Sequence, residues 1–276
     1  MMNLGPGGVA VVTGAAGGIG LGMCRAAAAR GMAVMMSDVD VDRLAKAAET
    51  LQAEGFQVAY RAVDVTDPAA LEVLASDTVA EFGRVDVVCN NAGITLVTPI
   101  HELSLDDWHR VIDIDLNAVF YGVRAFLPIM LEQGFGHLNA TASANAWRGD
   151  PMQAPYNVAK HGVAALMESV ALDLREMDSS ITASVLNPGP IATDLMLRSL
   201  GDDDEVRTEV HGLLNAGMDP NKAGVIAIDG IAEGRFWIFT HPLIFGTIRD
   251  RMDAAMADGS LPPELDWPWE ELFASS

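Results

Sequence analysis

The chain has 276 residues, half of them hydrophobic, and a formal net charge of −21. This length supports one domain with a substantial core, and the charge repels phosphate backbones and so excludes nucleic acid as a partner. The first Lys or Arg is Arg25, so no secretory or transit peptide is expected. Residues 9–36 are apolar but broken by glycines and by Arg25 and Arg30, so they read as buried strand and helix and no membrane association is expected. Cys24 and Cys89 sit among apolar neighbours as free core thiols, which suits a reducing cytoplasm.

Residues 9–13 form a short apolar run that ends in glycines, the pattern of a buried strand. An Ala-rich helix over 19–30 follows and stops at Gly31. A second strand over 32–36 ends at Ser37-Asp38, and a helix over 41–53 stops at Gly55. A third strand over 58–63 closes at Asp64, and Asp67-Pro68 opens the next helix as cap and first-turn proline. The fourth strand, 85–89, leads into Asn90-Asn91-Ala92-Gly93. Ser104 caps a long helix reaching about Glu132, and a strand over 137–141 precedes a helix from Pro155 to about Met177. A strand over 181–186 stops at Asn187-Pro188-Gly189-Pro190, Asp219-Pro220 caps another helix, and 235–240 is the last strand. The alternation predicts one α/β domain over 1–276, a doubly wound parallel sheet with helices on both faces. Ligands of such sheets bind at the carboxyl ends of the strands, where every motif below falls.

Thr13-Gly14-Ala15-Ala16-Gly17-Gly18-Ile19-Gly20 joins the first strand to the first helix. Gly14 permits the tight turn, Gly18 lets backbone approach a pyrophosphate, and Gly20 allows close helix–strand packing. Free N–H groups at the helix start then face the anion. Asp38, about 20 residues on, is placed to accept from both adenosine ribose hydroxyls and to repel a 2′-phosphate. Neither the turn nor the residues beside Asp38 include Arg or Lys, so NAD is favoured over NADP.

Tyr156 and Lys160 lie at i and i+4, one turn apart on one helix face. A free tyrosine, with a pKa of about 10, is a poor base, and a nearby ammonium stabilises its phenolate. Ser143 ends the preceding strand, 13 residues before Tyr156, within reach of the same substrate oxygen. These residues, with N-N-A-G at 90–93 and N-P-G-P-I-x-T at 187–193, stand in the order of the short-chain dehydrogenase/reductase family, which the sequence resembles in its non-extended form over about residues 8–240.

The resemblance implies a Rossmann-type domain and an NAD-dependent oxidoreductase of secondary alcohols or ketones. Tyr156 is then the general acid–base, Lys160 lowers its pKa and binds the nicotinamide ribose, and Ser143 holds the substrate oxygen. Asp64 and Val65 flank the adenine, and Asn91, Ala92 and Gly93 line the cofactor. Pro188, Ile191 and Thr193, with Gly189 among them, hold the carboxamide end. Asp115 stands where many family members carry a catalytic asparagine. It is able to accept from the same relay water while adding negative charge near Lys160. Asn117, two residues on and about 200° around the helix, does not replace it.

The 190–220 segment corresponds to the family's substrate cover, and Trp147, Met152, Leu195 and Met196 are candidate pocket residues for an apolar or aromatic substrate. Residues 241–276 form a C-terminal helix and tail, whose Trp267, Trp269 and Phe273 pack on this domain or on a neighbour. The histidines lack metal-ligand spacing, and Asp202–Glu205 lacks the spaced ligands of a calcium loop, so no metal is expected. Apolar positions on the two long helices (Val119, Phe120, Val123, Phe126; Val163, Leu166, Met167, Val170) imply a homodimer or homotetramer. The alternative function is a non-catalytic NAD-binding scaffold. Intact Ser143, Tyr156 and Lys160 argue against it, and Asp115 leaves it room.

Overall fold

Strand β1 (Val9–Thr13) and β2 (Ala33–Asp38) are buried almost throughout, because both faces of the sheet they start are covered. The computed structural model describes residues 2–195 and 216–260. With β3 (Val58–Ala62), β4 (Val87–Asn90), β5 (His137–Thr141), β6 (Thr182–Asn187) and β7 (Trp237–Phe239) they form a parallel sheet in the order β3-β2-β1-β4-β5-β6-β7. The order reverses between β1 and β4, which opens a crevice at their carboxyl ends.

The strand period of two divides the core. Ala10 and Val12 of β1 face α1 (Gly18–Ala29), α2 (Val41–Ala53) and a late helix, Pro220–Ala232, while Val11 faces the opposite layer. That opposite layer holds α3 (Pro68–Phe82), α4 (Leu105–Ile112), α5 (Ala118–Gln133) and α6 (Ala154–Glu176). The late helix is α7, and α8 (Ile244–Ala257) ends the described chain. The tail from 261, with Trp267, Trp269 and Phe273, lies outside the described residues.

The caps read at Asp67, Ser104 and Asp219 are present, and Asp40 is a further one. Asp40, Asp67, Ser104 and Asp219 each accept from a first-turn backbone N–H of the helix they begin. α1 differs, since its N-cap is Gly17 and no side chain caps it.

α1 and α7 cross with backbones in contact. A Cβ on Gly22 would lie 2.2 Å from the Pro220 carbonyl oxygen, and one on Gly224 would lie 2.1 Å from the Gly22 carbonyl carbon. The Leu105–Gln133 run is long and apolar enough to cross a membrane by length and composition, yet it sends Val119, Val123, Phe126 and Met130 into the core under the sheet. Between α4 and α5 this run makes one π-helical turn, Asp113–Asn117. On β5, His137 is buried, with Nδ1 2.7 Å from Thr182 Oγ1 and Nε2 2.7 Å from Ser184 Oγ.

Candidate active site

A cleft of about 550 Å³ lies over the carboxyl ends of the central strands. Its floor is the glycine turn. Gly14 and Gly18 have φ of +65° and +54°, a region in which side chains are strained. A Cβ on Gly14 would also stand 2.8 Å from Ala92 Cα. The turn therefore lies flat against the segment after β4. Asn91 secures this contact. Its backbone N–H donates to Thr13 Oγ1 (3.0 Å), its Nδ2 donates to the Thr13 carbonyl (3.1 Å), and its Oδ1 accepts from Thr141 Oγ1 (3.0 Å). Three strand ends are thus tied through one side chain. The sequence motif contained Asn91, but the tie to Thr13 and Thr141 is visible only in three dimensions.

Gly17, Gly18 and Ile19 line the cleft beside the first N–H groups of α1. With no side chain capping them, these donors are open to an anion. Gly20 is turned away, against the Gly14 carbonyl. Asp38 lines one end of the cleft, with Oδ2 accepting from the Ala16 N–H and Oδ1 from the Asp40 N–H, both at 3.0 Å. A carboxylate has room for further donors after two such bonds. Asp64 and Val65 share that end, and Pro188, Gly189, Ile191 and Thr193 line the other. The open glycine cradle, the uncapped helix and Asp38 fit a nicotinamide dinucleotide.

The reacting end is built from β5, α6 and the π turn. Ser143 is buried and extended, its hydroxyl accepts from the Asn145 N–H (3.1 Å), and it helps to hold the Tyr156 pKa down. Tyr156 is half-buried on the first turn of α6. Lys160, one turn further and buried, donates to the Thr141 carbonyl (3.1 Å) and stands 5.4 Å from the Tyr156 ring centre. Asp115 is fully buried, pairs with Lys160 at 2.9 Å, and accepts the Ile94 N–H at 2.8 Å. The π turn aims Asp115 inward, and Asn117 donates instead to Asp113 at 2.7 Å. Gly93 faces the ion pair, and a Cβ there would lie 3.0 Å from Asp115 Oδ2.

Lys160 acts on the Tyr156 phenol in the expected direction, but burial outweighs it. Burial pushes the phenol upward, and Lys160 and then Ser143 pull it back. Asp115 and Asp150 add to the rise, and the net direction is up. The negative charge of Asp115 is responsible for part of this rise. Burial also pulls Lys160 downward, but Asp115 and then Tyr156 more than reverse this. Asp115 itself is raised by burial against the pull of Lys160 and Ile94.

The substrate side departs most from the sequence reading. Leu195 lines the cleft and Met196 lies outside the described residues. Trp147 does not line it. Its ring packs edge-on to Trp237, with centres 4.9 Å apart, and its Nε1 donates to Asn187 Oδ1 at 2.9 Å. Met152 is exposed, away from the wall, with φ of 61°. The wall uses Ile94, Thr95, Asn145, Asp150 and Gln153. Asn145 Nδ2 donates to Asn157 Oδ1 (2.9 Å) and Asp150 Oδ2 (3.2 Å), which steadies the loop between Ser143 and α6. Its position two residues after Ser143 was the one available sequence signal.

This site on this sheet is that of a nucleotide-dependent oxidoreductase. The family model for short chain dehydrogenase matches residues 8–204, and the chain belongs to that family. It is 35% identical to 1-deoxy-11-beta-hydroxypentalenate dehydrogenase of Streptomyces exfoliatus, over 96% of this chain and 93% of that one. Among solved structures it is similar to a short chain dehydrogenase/reductase from Burkholderia phymatum in complex with NAD, with TM-score 0.89 and 30% identity, covering 96% and 100% of the two chains. It is also similar to an alcohol dehydrogenase from Thermococcus sibiricus complexed with 5-hydroxy-NADP, with TM-score 0.72 and 28% identity, covering 84% and 95%.

Proposed function

We propose that this oxidoreductase uses NAD and acts on a secondary alcohol or its ketone. The observation that carries the reading is the gathering of Ser143, Tyr156 and Lys160 in the wall of one cleft that Asp38 also lines. When bound, the nicotinamide accepts or supplies the hydride. Ser143 holds the substrate oxygen. Tyr156 takes the alcohol proton in oxidation and returns it to the ketone oxygen in reduction. Lys160 favours the phenolate and Asp115 holds the ammonium in place.

The names of relatives agree with alcohol chemistry, and the Burkholderia phymatum protein was solved with NAD. Asp38 supports NAD by offering lone pairs to ribose hydroxyls and by repelling a 2′-phosphate. Ile94, Ala144 and Leu195 suit an apolar skeleton. With Trp147 turned into the core, no described aromatic side chain except Tyr156 lines the cleft to favour an aromatic one.

The test is NADH absorbance on addition of a panel of secondary alcohols, with wild type and Tyr156→Phe. Wild type is expected to reduce NAD at least about tenfold better than NADP in kcat/KM, a difference of about 1.4 kcal/mol. Tyr156→Phe is expected to lose at least about 100-fold in kcat while still binding NADH. Near-normal turnover without the phenol would sink the proposal.

A further inference from the structure

The sequence places no cation in the glycine turn, but the fold brings one there from α2. Arg43 lies five residues beyond Asp38, lines the cleft, and rests over Gly17, where a Cβ would meet its Nη2 at 3.0 Å. Its described ion-pair partner is Asp194, at a loose 3.5 Å and with both side chains substantially exposed. Exposed pairs of this kind contribute little and exchange partners readily.

The charge balance of the cleft makes this cation important. The described wall carries six carboxylates (Asp38, Asp40, Asp64, Asp115, Asp150 and Asp194) against two cations, Arg43 and Lys160, with Asp150 paired to Arg148 behind the wall at 2.6 Å. Lys160 is held in its buried pair with Asp115. An anionic dinucleotide entering this wall, on a chain of net charge −21, finds one available guanidinium. That guanidinium stands above the uncapped start of α1, where backbone N–H groups already favour an anion. Its planar fork suits two phosphate oxygens at once.

We propose that Arg43 is the cation of the phosphate seat, and that it exchanges Asp194 for a phosphate of the dinucleotide. The inference rests on the reading of the cleft as a dinucleotide site. The shared chemistry is a phosphate, supplied either by the pyrophosphate or by a 2′-phosphate.

The experiment is calorimetric titration of wild type, Arg43→Ala, Arg43→Lys and Asp194→Asn with NADH, NADPH, ADP-ribose and adenosine. Arg43→Ala is expected to weaken NADH and ADP-ribose at least about tenfold, as for loss of a charge-assisted bond, and to leave adenosine unchanged. Arg43→Lys should recover part of the loss. Loss shared by NADH and ADP-ribose assigns Arg43 to the pyrophosphate, and loss confined to NADPH assigns it to the 2′-phosphate. Asp194→Asn removes the competitor and is expected to tighten NADH binding, so no gain there overturns the exchange. Unchanged affinity of Arg43→Ala for every phosphate ligand overturns the proposal, as does an equal loss for adenosine. Failure of wild type to bind any dinucleotide overturns the reading of the cleft as well.

Discussion

Asp115 gives the reacting end a second charge behind Lys160, in contact with it at 2.9 Å and fully buried. A carboxylate there disfavours the phenolate of Tyr156 and raises the pH at which the base forms. Asp115→Asn keeps an oxygen for the Ile94 N–H but removes the charge. The phenolate then forms more easily, so the alkaline rise in kcat/KM for alcohol oxidation is expected to move to lower pH. Profiles of both proteins test this, and an unmoved or higher midpoint would mean that Asp115 does not act through the Lys160–Tyr156 pair. At this scale Ser143, Tyr156 and Lys160 were legible because helical spacing and order fix their meeting. Arg43 was not, since its place over Gly17 depends on how α2 leans across the turn. Trp147 packs against Trp237, a role that an aromatic near Ser143 fills as readily as lining a pocket.

Elements were legible where caps and breakers mark them. Asp67, Ser104 and Asp219 begin helices as read, and strand limits move by a residue or two. The π turn was not legible, because hydrophobic period does not register one widened turn inside a long helix. Strand β5 carries a further consequence at His137. Burial lowers its pKa from 6.5 to about 3, so the folded chain keeps the ring neutral while the unfolded chain protonates it. Stability is then fully present above pH 6.5 and falls as pH drops toward 3, by at most about 1.4 kcal/mol per pH unit for one proton. His241, lowered to about 4 by burial and then by Lys222, acts in the same direction. Between pH 6.5 and 5, above the usual carboxylate range, melting temperature is expected to decline, and His137→Gln to flatten that decline. A variant with an unchanged slope would show that the strand carries no such penalty.

At the scale of the whole molecule, the surface read in the sequence for the expected oligomer is only partly open, with Phe120 exposed and Leu166 and Val170 partly buried. Val119, Val123, Phe126, Val163 and Met167 are buried within the protomer. The outward apolar positions are Phe120 and Leu131 on α5 and Val158 and Leu172 on α6. We propose that these two helices carry a symmetric contact. Light scattering at micromolar concentration is expected to give a dimer or tetramer mass, and Phe120→Asp a smaller one. A wild-type monomer refutes the contact. The sheet order itself was legible only as a class, since alternation predicts a doubly wound sheet without numbering its neighbours. The crossing of α1 and α7 at Gly22 and Gly224 has a consequence for how this chain diverges. Each position faces the other helix's backbone, so neither can gain a methyl group while the helices stay where they are. No order of single substitutions leads away from the pair, because the first step already forces the helices apart. A lineage carrying this crossing is free to drift over the outer faces of both helices, but at these two points it is held in a mutational dead end.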